Sequence, residues 1–162
     1  MLVTFLGMNS STKRVNMEKD KHKIKLKFVY THQWIDHPLR IALFIDDRAI
    51  HVDFGSNKSE VVIDKKVAID SGEHTMKLQI SNKNEANTKV NSSNEVIADS
   101  VVSIKEVCID DINLMSIITE EGVFNNDQTS EPLTKITDLG HNGTWELKFK
   151  VPTYDWLLEK LF

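Results

Sequence analysis

Cys108 is the only cysteine of the chain. It lies inside the apolar run Val101–Ile109, where a thiol behaves as a small core hydrophobe rather than a nucleophile. A single cysteine also excludes an internal disulfide and a cysteine-cluster zinc site. Asp110 and Asp111 are adjacent. On a strand their carboxyls would point to opposite faces and share no proton, whereas in a turn both residues are favoured. No glycine-rich phosphate loop, G-x-S-x-G elbow or H-E-x-x-H helix is present, so the residues point away from an enzyme.

His32, Asp36 and His37 surround Trp34 in the stretch Thr31–Pro38. Two imidazoles and a carboxylate could hold a divalent metal, but the spacing matches no standard ligand pair. The other reading is a pair of solvated loop histidines beside a half-buried tryptophan. Lys23, Lys25 and Lys27 form a row that is either a solvated strand face or an attractor of anionic polymers. Trp145 is in register with Leu147 and Phe149 and belongs to the core. Trp156 falls in a terminal helix, where it packs or docks. Trp34 precedes Pro38 in a loop, where its flat face could stack on a sugar ring or meet a protein partner.

The elements that must position these groups have period two. Ile24, Leu26, Phe28 and Tyr30 alternate with the lysine row, as in a strand with one buried face. Residues 39–54 read as a hairpin turning at Asp46-Asp47. Val61 with Ile63, and Val67 with Ile69, predict two short strands. His74 to Ile80, Val101 to Ile109 and Trp145 to Val151 predict three more, the middle one apolar on both faces as in a central or bulged strand. After Pro152, Tyr154, Leu157, Leu158 and Leu161 share one helical face. The fold class that follows is all-β, an antiparallel, jelly-roll-like β-sandwich with a short C-terminal helix. Two long polar stretches, Asn82–Glu95 and Gly122–Thr144, read as loops. Residues 1–21 read as an N-terminal arm that docks on a neighbour or as a frayed extension, and 22–162 as one sandwich domain.

The chain has 162 residues, enough for one domain with its own core. Lys+Arg is 20 against Asp+Glu 24, a net charge of −4, which argues against a nucleic-acid partner. Met1–Leu6 is apolar but too short for a membrane span and lacks a basic front end. The expectation is a chain made in a cytoplasm, with no membrane partner.

Two segments carry a resemblance. Gly72–Asn82, a polar loop, and then Asp99–Asp111 are similar to the calcium-dependent, xylan-binding type of carbohydrate-binding module. In that family a strand ending in Asn-Asp leads through a loop to an aspartate that opens the next strand. The C-terminal stretch from Gly140 to Glu159 resembles the ending of small tailed-bacteriophage proteins that carry this module without a catalytic domain.

The resemblance implies a virion-associated component, in a capsid decoration or tail/adhesion role, synthesised in the host cytoplasm. Its partners would be other virion proteins and copies of itself, with Tyr154, Trp156, Leu157 and Leu161 as docking residues. It implies an alternative too, a glycan-binding module for host-surface polysaccharide built on Trp34, Asn87 and Asn94. Calcium would fall to Asn82, Glu95 and Asp99, although Lys83 stands where the family has an acidic residue. With so many neutral amides the site would be weak; the other reading is a scaffold whose metal site has decayed.

Overall fold

The computed structural model describes residues 20–55 and 58–162. Thirteen strands and two helices follow in order. They are β1 (Lys21–Gln33), β2 (Arg40–Ile45), β3 (Arg48–Asp53), β4 (Glu60–Asp70), β5 (Gly72–Ser81), β6 (Thr88–Val90), β7 (Val96–Asp99), β8 (Val101–Ile109) and β9 (Ile112–Asn113). Helix α1 (Met115–Glu121), β10 (Val123–Asn126), β11 (Leu133–Thr134), β12 (Asp138–Leu139), β13 (Gly143–Val151) and α2 (Thr153–Leu161) complete the chain.

One sheet has the order β12-β8-β1-β4, with β9 beside β8; the other runs β11-β10-β13-β5-β2-β3. All pairings are antiparallel, and β6 and β7 form a separate hairpin. The fold is therefore an all-β antiparallel sandwich closed at one end by a short C-terminal helix. Leu26, Phe28 and Tyr30 of β1 face Leu43, Leu78, Trp145 and Leu147 across the middle, all fully buried. Phe28 and Trp145 meet edge to face at 6.2 Å across the two sheets. Each such side chain contributes about 1.5–3 kcal/mol by leaving water.

Several details depart from the sequence reading. The two short strands expected around Val61 and Val67 are one strand, β4, paired with β1 from Lys21↔Asp70 to Thr31↔Glu60. Lys65 interrupts its apolar alternation; its ammonium reaches across the open side to the Ile50 carbonyl at 2.5 Å. A charged residue at that place on an edge strand blunts pairing with other chains. The bulge foreseen in 101–109 is present: Val29 pairs with Glu106 and Tyr30 with Ile104, leaving Lys105 extra.

The 122–144 stretch is not a plain loop. Phe124 and Leu139 are fully buried and anchor β10 and β12 on the two sheets. Helix α1 was not expected at all, being too short to show a period. The expected arm lies outside the described residues except for Asp20 and Lys21, and Lys21 already pairs with Asp70 in β1.

The ends of the sandwich differ. Gln33↔Val101, Arg40↔Ser81 and Gly143↔Ile80 place the 34–39, 82–100 and 140–142 connections together at one end. Val151↔Gly72 and Lys21↔Asp70 place α2 at the opposite end.

Candidate functional site

The three connections at the first end are joined by a polar hub built around Lys83. Its ammonium is 2.7 Å from Asp99 Oδ1 and donates to the carbonyls of Ser100 (3.0 Å) and Gly140. The Lys83 side chain is only 11% exposed, so the charge is held by protein oxygens rather than water. Thr88 Oγ1 donates to the same Asp99 oxygen at 2.8 Å. Lys83 and Asn142 also pair through backbone and amide, Lys83 N–H to Asn142 Oδ1 and Asn142 Nδ2 to Lys83 O, both 2.9 Å.

Asn87 is the second node. It closes a 3₁₀ turn at Glu85–Asn87 by accepting from the Asn84 N–H at 2.9 Å. Its Nδ2 donates to the carbonyls of Ile35 and His37 at 2.7 and 2.9 Å. Ser100, also fully buried, accepts from the Ile35 N–H at 2.8 Å and donates its own N–H to Asn87 O at 2.9 Å. Each buried polar group named here is satisfied, the condition under which a polar network rigidifies a fold. Beside the hub opens a cleft of about 400 Å³, lined by Lys83, Asp99, Asp127, Gln128, His141 and Asn142 among others.

The candidate metal residues separate. Asp99 belongs to the hub, where an ammonium already meets its carboxylate. Glu95 is exposed and accepts from Asn91 Nδ2 at 3.0 Å. Asn82 is exposed, has a left-handed φ of 73°, and uses its carbonyl to meet His37 Nε2 at 2.9 Å. Among the described residues no three histidines, cysteines or carboxylates gather as metal ligands. His37 Nδ1 lies 2.9 Å from Asp36 Oδ2, and that hydrogen bond, with the one at Asn82, raises the imidazole above its ordinary range. His32 takes no part in that pairing. The 31–38 stretch thus pins one loop to the next.

The candidate glycan residues separate in the same way. Asn87 is fully buried and its amide is used by the chain itself. Asn94 is exposed at φ 59° in the turn between β6 and β7. Trp34 stacks on His32 at 4.0 Å and 10°, so one face of the indole is covered.

No protein-family model matches the chain, and neither a curated protein nor a solved structure matches it. Cys108, the Asp110-Asp111 pair and two of the row lysines each have a structural place. Burial and a 3.4 Å contact with Glu106 push the Cys108 thiol up, away from thiolate. Asp110 and Asp111 both have left-handed φ, 51° and 64°, and form the turn between β8 and β9. Lys25 pairs with Asp111 at 3.0 Å and Lys27 with Glu106 at 3.1 Å, so two of the three row lysines are ion-paired.

Helix α2 divides the docking residues. Trp156 and Leu157 are buried, at 3% and 9% exposure, and Trp156 meets Phe149 edge to face at 6.4 Å. Tyr154 and Leu161 are 65% and 73% exposed, and Leu158 joins them at 39%. The helix is therefore rotated from the sequence reading: Thr153, Trp156 and Leu157 face inward, and 154, 158 and 161 form an apolar stripe in water. Lys150–Glu159 at 3.0 Å and Lys160–Glu121 at 2.7 Å join the helix to β13 and α1 at its rim.

The sequence reading missed Lys83, Ser100 and Asn142 as organisers. Their type and spacing carry no signal, because their partners lie from 13 residues (Ser100 to Asn87) to 65 residues (Ser100 to Ile35) away.

Proposed function

We propose that this chain is a non-catalytic structural component of a larger particle, docking on a neighbouring protein through the outer face of α2. The observation that carries the reading is the stripe Tyr154, Leu158 and Leu161, exposed on a helix whose other face is locked into the core. A soluble surface helix puts its apolar face inward and polar residues outward; an apolar stripe on both sides fits a helix with a second surface to cover. The C-terminal resemblance directs the proposal to a tailed-phage virion, with a capsid or tail protein as partner.

The test is binding of the purified chain to candidate capsid and tail proteins, followed by light scattering after size exclusion. Wild type co-elutes with its partner, and Leu158→Glu/Leu161→Glu stays free while melting at nearly the same temperature. Undiminished co-elution of that variant would sink the reading.

The cleft beside the hub favours a second reading, a glycan-binding module for host-surface polysaccharide. Carboxylate and imidazole groups of Asp127 and His141 on its wall are the kind that bond sugar hydroxyls. Asp99 is a poor probe for this because it holds Lys83. Asp127→Ala and His141→Ala leave the hub's carboxylate in place, and loss of polysaccharide retention by both would favour this reading over the first.

A further inference from the structure

The open side of the sandwich, between edge strands β3 and β4, holds a second, half-buried polar group with a different character from the hub. Tyr30 and His32 project from β1 toward the other sheet, following the alternation of Phe28. His51 and Asp53 project from β3, in register with Leu43 and Ile41 of the core. Tyr30 OH donates to Asp53 Oδ2 at 2.9 Å, while the rings of Tyr30 and His32 are 6.3 Å apart. Three polar atoms here are buried without a hydrogen-bond partner among the described residues: His32 Nε2, His51 Nε2 and Trp34 Nε1.

An unpartnered imidazole nitrogen is tolerable while the ring is neutral. On protonation it becomes a buried N–H⁺ with no acceptor, which costs far more. The groups among the described residues that bear on the two rings act in both directions. Asp53 attracts both rings but is shared with Tyr30, a backbone hydrogen bond at Lys58 favours the charged form of His32, and Lys65 of β4 repels His51. The indole of Trp34 lies flat on His32, and Glu60 is across the ladder from Thr31. Burial outweighs the attractions, and both imidazoles are lowered from their ordinary range.

We propose that His32 and His51 form an acid-sensitive latch that holds β3 against β1 and β4 near neutrality and releases it in mild acid. β3 is suited to such release. It is the last strand of its sheet, and among the described residues the hydrogen bonds Lys65 to Ile50 O and Arg48 to Ala68 O tie it to β4. The opening would expose a strand edge, the kind of surface that pairs with another chain. This inference stands apart from the docking role of α2.

The experiment compares thermal midpoints at about pH 7.5 and about pH 5.5 for wild type and His32→Gln/His51→Gln, with amide hydrogen exchange of wild type at both values. Wild type should lose about 4 °C or more and the variant clearly less, with faster exchange confined to β3 and its β2 partners. An equal loss in both proteins, or loosening spread evenly through both sheets, would overturn the latch. If the variant does not fold, imidazole titration of wild type by NMR decides. Titration of both rings below the ordinary value, with β3 amides moving in step, upholds it; ordinary titration with β3 unmoved removes it.

Discussion

Lys83 Nζ sits 2.7 Å from Asp99 Oδ1, inside a cage completed by the carbonyls of Ser100 and Gly140. A divalent cation placed among those oxygens would meet an ammonium already there. Millimolar calcium should therefore leave the unfolding midpoint within about 1 °C of its value in chelator, whereas a ligand at saturating concentration shifts a domain of this size by several degrees. Lys83→Met should cost about 2–3 kcal/mol, since it strands the Asp99 carboxylate and two carbonyls. A chemical denaturation series of Lys83→Met, Asp99→Asn and the double variant should show coupling of about 1 kcal/mol or more. A large calcium shift would show that the ammonium leaves the cage when metal arrives.

Asn87→Ala removes the donors to the Ile35 and His37 carbonyls and the acceptor for the Asn84 N–H. The expected loss is about 2–4 kcal/mol. Asn87→Asp should be worse near neutrality, because it turns an oxygen toward oxygens that had received N–H groups. Urea midpoints of the two variants give the order.

Gly143 and Gly72 test two different demands on glycine. A Cβ at Gly143 would lie 2.2 Å from the Asn125 carbonyl oxygen of β10, so Gly143→Ala must push paired backbones apart. A Cβ at Gly72 meets nothing within 4 Å, but its φ is +119°, so Gly72→Ala strains only its own backbone. We expect about 3 kcal/mol or more at 143 and about 1–2 kcal/mol at 72, read as shifts in urea midpoint at constant slope.

The two faces of α2 should respond differently. Trp156→Ala leaves a hole against Phe149 and should cost about 3–5 kcal/mol. Tyr154→Ser, on the exposed stripe, should change stability by less than about 0.5 kcal/mol. Thermal melts of the two purified variants separate the packing role from the docking one.

Asp46 gives a pH dependence with a defined sign. Burial pushes its carboxyl up, but hydrogen bonds from His74 and the Thr75 N–H more than offset this and leave it below the ordinary range. A depressed carboxyl contributes stability above its unfolded value and loses it as the pH falls through the folded one. Asp46 is half exposed, so solvent screening holds the contribution below about 1 kcal/mol. The stability gap between wild type and Asp46→Asn should be present at about pH 5 and narrow as the pH falls below the ordinary carboxylate range, as read by urea denaturation.

The strands were legible because their cause is local. Ile24 to Tyr30, His74 to Ile80 and Trp145 to Val151 alternate in the chain as they alternate between core and water, and the Asp46-Asp47 and Asp110-Asp111 pairs are turn formers by their own backbone preferences. Where the local signal was broken, the reading broke with it. Lys65 divided β4 into two apparent strands, and β10 to β12 were too short to show a period although Phe124 and Leu139 are core residues.

Composition and alternation thus determined the fold class, the main strands and most of the core, because a strand's hydrophobic face is written in consecutive residues. Tertiary structure alone decided which polar residues matter. Lys83 became a buried cation, Asn87 a buried strut and Trp34 a stacked partner of His32 through contacts with residues remote in the chain. The same is true of α2, whose Tyr154, Leu157, Leu158 and Leu161 share one periodicity. Only packing against β13 chose Leu157 for the core and left the other three facing water, because a helix period fixes which residues neighbour one another and not which way the helix is turned.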